Sequence, residues 1–420
     1  MITEKSCEMM RRSFERTTYR FTEAPRASFR GGFGIYVHVP FCLSKCSFCP
    51  FYKELYDKDQ KERYVSALCK EIDAVDMTGQ ANWIYFGGGT PNTLTTSDLR
   101  CILKHLRAKV QTTSLGIELQ PALLTSKYLQ ELADMGFTKV SMGVESFSPE
   151  TMAPTGRRLS EAIPQFVAEA RAVGLWTNID MMVGLPRQTA KTFRLDIRRV
   201  SELAASQVTI YPFMAIRGVR AEPSLSSQEQ FDLIEEADTT LQAAGYRRRG
   251  IWTWTRGDDL YDSSRDELVA DYAGFGPAAF STYGQWKVVN PELDVYLENI
   301  EQGKHLAFVA RKVSGADEWR CFARMIYDLR INHKLALPAH IKGLVWLLKI
   351  AGYINNQGEL TRKGRYYAHE LTKAVVESLP FPVQNPACVE NYEDYASHRS
   401  QLRTDRTPID LKLGSREQTD

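Results

Sequence analysis

Long apolar runs are missing from this chain. No stretch approaches the roughly 18–20 residues a membrane-spanning helix requires. The N-terminus, MITEKSCEMMRRSFERTTYR, is charged throughout and has no apolar core of the secretory kind. Excess charge is missing too. Lys+Arg 53 against Asp+Glu 51 leaves a formal +2, so no broad field favours nucleic acid or an acidic membrane. Cysteine is scarce, with eight in 420 residues, which excludes a disulfide scaffold. A 43% apolar and 25% charged composition excludes wholesale disorder. These absences lead to the expectation of a folded, cytoplasmic chain of two or three domains with no membrane or nucleic-acid partner.

What is present is a rhythm. Short β-branched or aromatic runs, 35–39, 83–86, 115–119, 139–144, 177–183 and 207–211, alternate with stretches of helical period at 59–76, 95–109, 125–135, 159–173 and 189–204. Thr95 and Thr125 stand where N-caps belong. Such alternation predicts βαβ units and a parallel sheet, either doubly wound and open or an incomplete barrel; periodicity does not choose. In both, ligands bind at the carboxyl ends of the strands. Those ends are where the unusual residues fall: HVPFC after the first strand, GGGTP after the second, Gln120-Pro121 after the third, Glu145-Ser146 after the fourth.

The scarce cysteines are also unevenly placed. Cys42, Cys46 and Cys49 form C-x3-C-x2-C directly after the first strand. Three thiolates at this spacing fold round one iron–sulfur cube and leave one iron free for an exogenous ligand. Structural zinc usually wants four protein ligands; His38 is available, but no second cysteine pair stands at zinc-ribbon spacing. Lys45, inside the loop, is placed to offset anionic charge. The Gly87-Gly88-Gly89-Thr90-Pro91 run lacks the Lys-Ser/Thr of a P-loop, yet lets backbone approach a ligand closely.

Taken together, IYVHVPFCLSKCSFC, YFGGGTP, IELQP, VSMGVESF and IDMMVGLPRQT resemble the radical S-adenosylmethionine (SAM) enzymes, in the oxygen-independent coproporphyrinogen oxidase-like branch. The resemblance implies an incomplete (β/α)6 barrel, a [4Fe–4S] cluster on Cys42, Cys46 and Cys49, and two bound SAM molecules. It implies SAM contacts at Tyr36, Gly88, Gly89, Thr90, Glu118, Arg157, Asp180 and Phe213. Glu145 stands where the family often has Gln, which alters the charge expected round the second SAM; the alternative for Glu145 and Asp180 is an ordinary ion pair at a strand end.

The expected boundaries are an extension over 1–30, the barrel over 31–250, a connecting or substrate-covering segment over 251–315, a helical winged-helix-like domain over 316–380, and a partly disordered tail over 381–420. Within the branch, the haem-carrier signature His-Asn-x-x-Tyr-Trp is missing, since no histidine occurs between His105 and His305. Arg11, Arg12, Arg16 and Arg20 lie on what reads as a solvated helix rather than a clamp for propionates. Cys49–Tyr52 and the Trp252, Trp254, Trp286 set favour a flat apolar substrate. The expectation is therefore a class C methyltransferase, moving a methyl or methylene group to an sp2 carbon of an aromatic small-molecule or peptide-derived natural product. The alternative is a coproporphyrinogen III dehydrogenase-like or haem-handling protein. Tyr52, Glu145, Tyr211, Asp266 and Glu267 are the candidates for proton transfer, a flavodoxin or ferredoxin is the expected reductant, and the chain is expected to be a monomer.

Overall fold

In the computed structural model, residues 17–404 are described apart from 217, 258–269, 313–315, 332–337 and 380, together with 4, 5, 7 and 8. Six strands follow one another in space as they do in sequence: β1 (Phe33–Val39), β2 (Asp76–Gly88), β3 (Leu115–Leu119), β4 (Lys139–Glu145), β5 (Trp176–Val183) and β6 (Gln207–Pro212). All neighbours pair in parallel. The helices between them are α1 (Lys58–Ala74), α2 (Thr96–Arg107), α3 (Ser126–Asp134), α4 (Ile163–Ala172) and α5 (Ala190–Glu202), with α6 (Ser227–Ala243) after β6. A strictly sequential order is that of a barrel, whereas a doubly wound sheet reverses direction at a switch point. The fold is the incomplete (β/α)6 barrel.

Local chemistry places these elements. In β1 every residue except Tyr36 is buried, and Ile35, Val37 and Val39 are fully so, as in strands covered on both faces. Thr95 caps α2 in a reciprocal box with Asp98, and Thr125 accepts from the Tyr128 amide at the start of α3. Lys61 of α1 meets Asp98 of α2 at 2.9 Å with both side chains largely buried.

Beyond the barrel the structure is more integrated than the sequence pattern implies. Tyr272–Phe275 adds in parallel to β1, and Phe280–Tyr283, Trp286–Val289 and Leu306–Arg311 continue the sheet antiparallel. Arg20–Glu23 pairs with Leu306–Arg311, so Arg20 belongs to a strand; Arg11, Arg12 and Arg16 lie outside the described residues. In the tail expected to be partly disordered, the described residues 381–404 are folded. Cys388, Val389 and Tyr395 pack with Tyr19, Phe21 and Phe308 in a separate core, and Tyr392–Thr404 is helical. Charge and proline disguised these apolar anchors.

Glu71 is the peg for the added strands. Almost fully buried, it accepts from the Gly276 amide (2.8 Å), Asn290 Nδ2 (2.7 Å) and the Tyr296 hydroxyl (2.7 Å). Gly276 has φ +91°, and a Cβ there would stand 2.6 Å from the His38 carbonyl oxygen, so glycine is required. The C-terminal helices Ala316–Tyr327, Ala339–Ile350 and Arg362–Glu377, with bridges Arg330↔Glu359 and Ile354↔Leu360, form the winged-helix-like region. It docks on α6 through Glu235, which takes Arg248 at 2.6 Å and Arg365 at 2.5 Å. Among the described residues, no helix is long and apolar enough to cross a membrane.

Candidate cluster and cofactor site

The cysteine loop begins in the two-residue strand Phe41–Cys42, which pairs with Glu54–Leu55. It is tied down from several sides. The Ser47 amide donates to the Thr155 carbonyl, Arg220 and Ala221 amides donate to the Ser47 carbonyl, and Lys53 Nζ donates to the Cys49 carbonyl at 2.7 Å. Phe48, Met152, Leu185 and Phe213 form a small apolar cluster against Cys46 and Cys49. Phe213 therefore serves the loop with its buried ring, while its amide donates to Val183.

Burial pushes the Cys42 thiol up and the Cys46 thiol up to about 11, opposed at Cys46 chiefly by the neighbouring Arg157 guanidinium. Cys42 Sγ lies 3.4 Å from Thr90 Oγ1. The positive charge expected from Lys45 comes instead from Arg157 and Lys53, because Lys45 Nζ is drawn 3.0 Å from Glu54.

The donor set fits a cube. Tetrahedral zinc holds its thiolates about 3.8 Å apart. The three loop thiols do not all lie within 4.8 Å of one another, a closeness that a different trio in this chain does meet. A wider fan of three sulfurs suits separate irons at separate corners.

Beside the loop, the β2 end makes a cradle. A Cβ at Gly87 would stand 3.1 Å from Glu118 Oε1 and from the Tyr36 hydroxyl, one at Gly88 2.7 Å from the His38 ring, and one at Gly89 2.8 Å from Pro40. The glycines thus let the first two strand ends close on each other. Tyr36 faces His38 Nδ1 at 3.3 Å, and His38 Nε2 meets the Tyr52 carbonyl at 3.0 Å. Burial lowers His38 to about 4, which keeps it neutral.

Three carboxylates converge on adjacent strands. Glu118 is raised to about 7 by burial and by Asp180, against hydrogen bonds from Tyr85 and the Gly88 amide. Glu145 is raised to about 7 by burial, opposed by Arg157, whose Nη1 is 3.4 Å from Oε1. Its φ of +67° marks the point where β4 turns out of the sheet. Arg157 also donates to the Gly143 carbonyl at 2.6 Å. Asp180 accepts from Ser141 Oγ at 2.5 Å and Asn178 Nδ2 at 2.8 Å, two neutral donors on the barrel strands. Three acids against one guanidinium form a site complementary to cationic ligands, and SAM carries both a sulfonium and an ammonium.

The structure therefore brings Cys42, Cys46, Cys49, Thr90, Glu118, Glu145, Arg157 and Asp180 into one neighbourhood. It directs Tyr52 elsewhere: the hydroxyl donates to Glu54 at 3.0 Å and accepts from the Leu293 amide at 2.9 Å. Tyr211 is half-buried with its ring edge-on to Trp252. Trp252 and Trp254 are core, not a substrate wall, with Nε1 atoms donating to His369 and Asp238. Asp266 and Glu267 lie outside the described residues. Sequence reasoning missed Ser141 and Asn178, polar residues on barrel strands whose hydrogen bonds to Asp180 are visible only once the strands are in register, and Lys53, which lies just past the motif.

Comparison with known proteins agrees with the fold. The radical SAM superfamily model matches residues 36–200. The oxygen-independent coproporphyrinogen III oxidase of Escherichia coli K12 is 29% identical over 325 residues, 70% of each chain. Anaerobilin synthase of E. coli O157:H7 is 26% identical, covering 82% of this chain and 84% of its own. The heme chaperone HemW of Buchnera aphidicola is 23% identical over 82% of this chain and 98% of its own. The solved E. coli coproporphyrinogen III oxidase (HemN) superposes with a TM-score of 0.72 at 24% identity, covering 85% of this chain and 96% of the other.

These relatives overturn the expected methyl or methylene transfer to a natural product. They are named for coproporphyrinogen oxidation, anaerobilin synthesis and haem chaperoning, and the burial of Trp252 and Trp254 takes those two rings out of the flat apolar wall that the methyltransferase reading called on. The cofactors of this family are a [4Fe–4S] cluster and SAM, as the loop and cradle imply. The chain is thus similar to the radical SAM superfamily over residues 36–200 and to the oxygen-independent coproporphyrinogen III oxidases over about 70% of its length.

Proposed function

We propose that this protein is a SAM-dependent radical oxidoreductase of a porphyrin-type tetrapyrrole, acting as its coproporphyrinogen oxidase relatives do on propionate side chains. The observation that carries the reading is the juxtaposition of the cysteine loop with Glu118, Glu145 and Asp180, bridged by Arg157, at the carboxyl ends of the barrel strands. The substrate class rests on likeness to the relatives.

When bound, the reduced cluster and SAM supply a 5′-deoxyadenosyl radical. In this reading Cys42, Cys46 and Cys49 hold the cluster, and Arg157 offsets the thiolate charge from within the protein. Gly88, Gly89 and Thr90 admit the methionine moiety, with Tyr36 beside them. Glu118 and Asp180 face the cationic groups of SAM, and Phe213 packs the loop against β6. Glu145, with a pKa near neutrality, holds or releases a proton at Oε1 beside Arg157. Tyr211 remains a candidate donor on β6, whereas the Tyr52 hydroxyl is committed to Glu54 and Leu293. A flavodoxin- or ferredoxin-type protein is the proposed reductant.

Anaerobic turnover with coproporphyrinogen III tests the proposal. Release of CO2 with formation of 5′-deoxyadenosine and a vinyl-bearing product supports it, and Cys42→Ala must abolish all three. Opening of haem to a linear tetrapyrrole is a second reading, favoured by the longer alignment with anaerobilin synthase than with the oxidase. A bilin product from haem, without CO2, would select it.

A further inference from the structure

Far from the strand carboxyl ends, the outer layer of the barrel carries another set of metal-binding side chains. Cys69 and Asp73 stand four residues apart on α1, and Cys101 and His105 stand four apart on α2, so each pair shares a helix face. The two helices are aligned by the Lys61–Asp98 bridge between their first turns. Nearer their carboxyl ends the four side chains converge. Cys69 Sγ and Cys101 Sγ are 3.9 Å apart. Those sulfurs and an imidazole nitrogen of His105 all lie within 4.8 Å of one another. His105 Nδ1 is 2.9 Å from both carboxylate oxygens of Asp73.

We propose that Cys69, Cys101 and His105 bind a single divalent, thiolate-preferring cation, zinc in type, and that Asp73 is the positioning residue that fixes the His105 ring. Two thiolates on one tetrahedral zinc stand about 3.8 Å apart, which matches the sulfur separation here. A carboxylate on the far nitrogen of a ligating histidine is the usual orienting partner: with Nδ1–H held by Asp73, Nε2 is left for the ion. Cys69 is buried, Cys101 is exposed and the His105 side chain is 30% exposed, so the ion has an entry path and water takes the fourth position. Binding displaces one proton from each thiol.

A disulfide explains the cluster less well. Its sulfurs would have to close to about 2.05 Å, both cysteines are free, and a disulfide gives His105 and Asp73 no part. The site lies toward the carboxyl ends of α1 and α2, hence toward the amino ends of the strands, the barrel face that serves stability rather than chemistry. The cation clamps two successive helices.

The test uses the full chain in two forms, cluster-bearing and C42A/C46A/C49A, so that zinc on the loop cysteines is counted separately. One zinc per chain by mass spectrometry in both forms is expected. Substituted Co2+ should show thiolate charge-transfer and tetrahedral visible bands. Cys101→Ser, at an exposed position that preserves the fold by circular dichroism, should lose the zinc, the bands and any rise in melting temperature on adding zinc. Asp73→Asn should weaken zinc about 10–100-fold. Zinc binding equal in wild type and C101S, zinc confined to the loop cysteines, or a Cys69–Cys101 disulfide in anaerobically purified protein would each overturn the proposal.

Discussion

Glu118 carries a pH dependence of known sign. Burial and the nearby Asp180 raise its carboxyl from an ordinary 4.5 to about 7 in the folded chain. A group bound more tightly to its proton when folded contributes stability that is complete below about pH 4.5 and lost as pH rises through about 7. That difference corresponds to about 3 kcal/mol at most. With a urea m value of about 3 kcal/mol per M, it moves the denaturation midpoint by up to about 1 M. Without SAM, the midpoint of the wild-type chain should therefore fall relative to that of Glu118→Gln, which keeps the shape but not the charge, as pH rises from 5 to 8; the buried imidazoles of His38 and His369, held neutral, pull the other way in both chains and cancel in the difference. Within that window the depressed carboxylates Asp98 and Glu235 stay ionised in the folded chain, so their contribution changes little. Parallel pH profiles for wild type and E118Q would refute the reasoning. Adding SAM should shrink that difference between the two chains, because a cation beside Glu118 stabilises its ionised form.

Glu71→Ala leaves three buried donors, on Gly276, Asn290 and Tyr296, without their acceptor, and should destabilise by about 3–5 kcal/mol, read by denaturation midpoint; Glu71→Gln, which retains an oxygen acceptor, should cost less. Glu235→Ala strands Arg248, whose side chain is 8% exposed, and releases Arg365, so limited proteolysis should cut between the C-terminal helices and the barrel faster than in wild type.

The barrel was legible because its period is strong. β3 spans the same 115–119 as its apolar run, and the other five strands begin or end within a few residues of theirs, except β2, which starts at Asp76, seven residues before the WIYF run. That extension hid because 76–82 is polar and edge-like, paired only with the short strands Ser28–Arg30 and Val110–Gln111 and the start of β1. The cysteine loop was legible from spacing alone. The strands at 272–311 were not, since their aromatic and polar residues alternate over only four to six positions and read equally as loop. The tail misled for a related reason. Its anchors, Cys388, Val389 and Tyr395, are single apolar residues among charges, and only the facing Tyr19, Phe21 and Phe308 make them a core. Long-range partners of this kind leave no periodic trace.

The same limit applies to Glu145, which the sequence offered as a neighbour of the second SAM, a candidate for proton transfer or a strand-end ion pair. It has that pair with Arg157, yet its pKa stays near 7, so the ion pair does not fully offset burial. Arg157 is shared, since it also lies beside Cys46 and Cys49. Once the thiolates carry a cluster, they compete with Glu145 for the same guanidinium. Glu145→Gln removes one competitor and leaves Arg157 to the loop. The expected outcome is a cluster retained at wild-type iron content, together with weaker SAM binding above pH 7, where wild-type Glu145 is ionised, and little change at pH 6, where it is largely protonated. Equilibrium dialysis of SAM at the two pH values reads this directly. An equal loss at both would show that Glu145 acts by shape and not by charge.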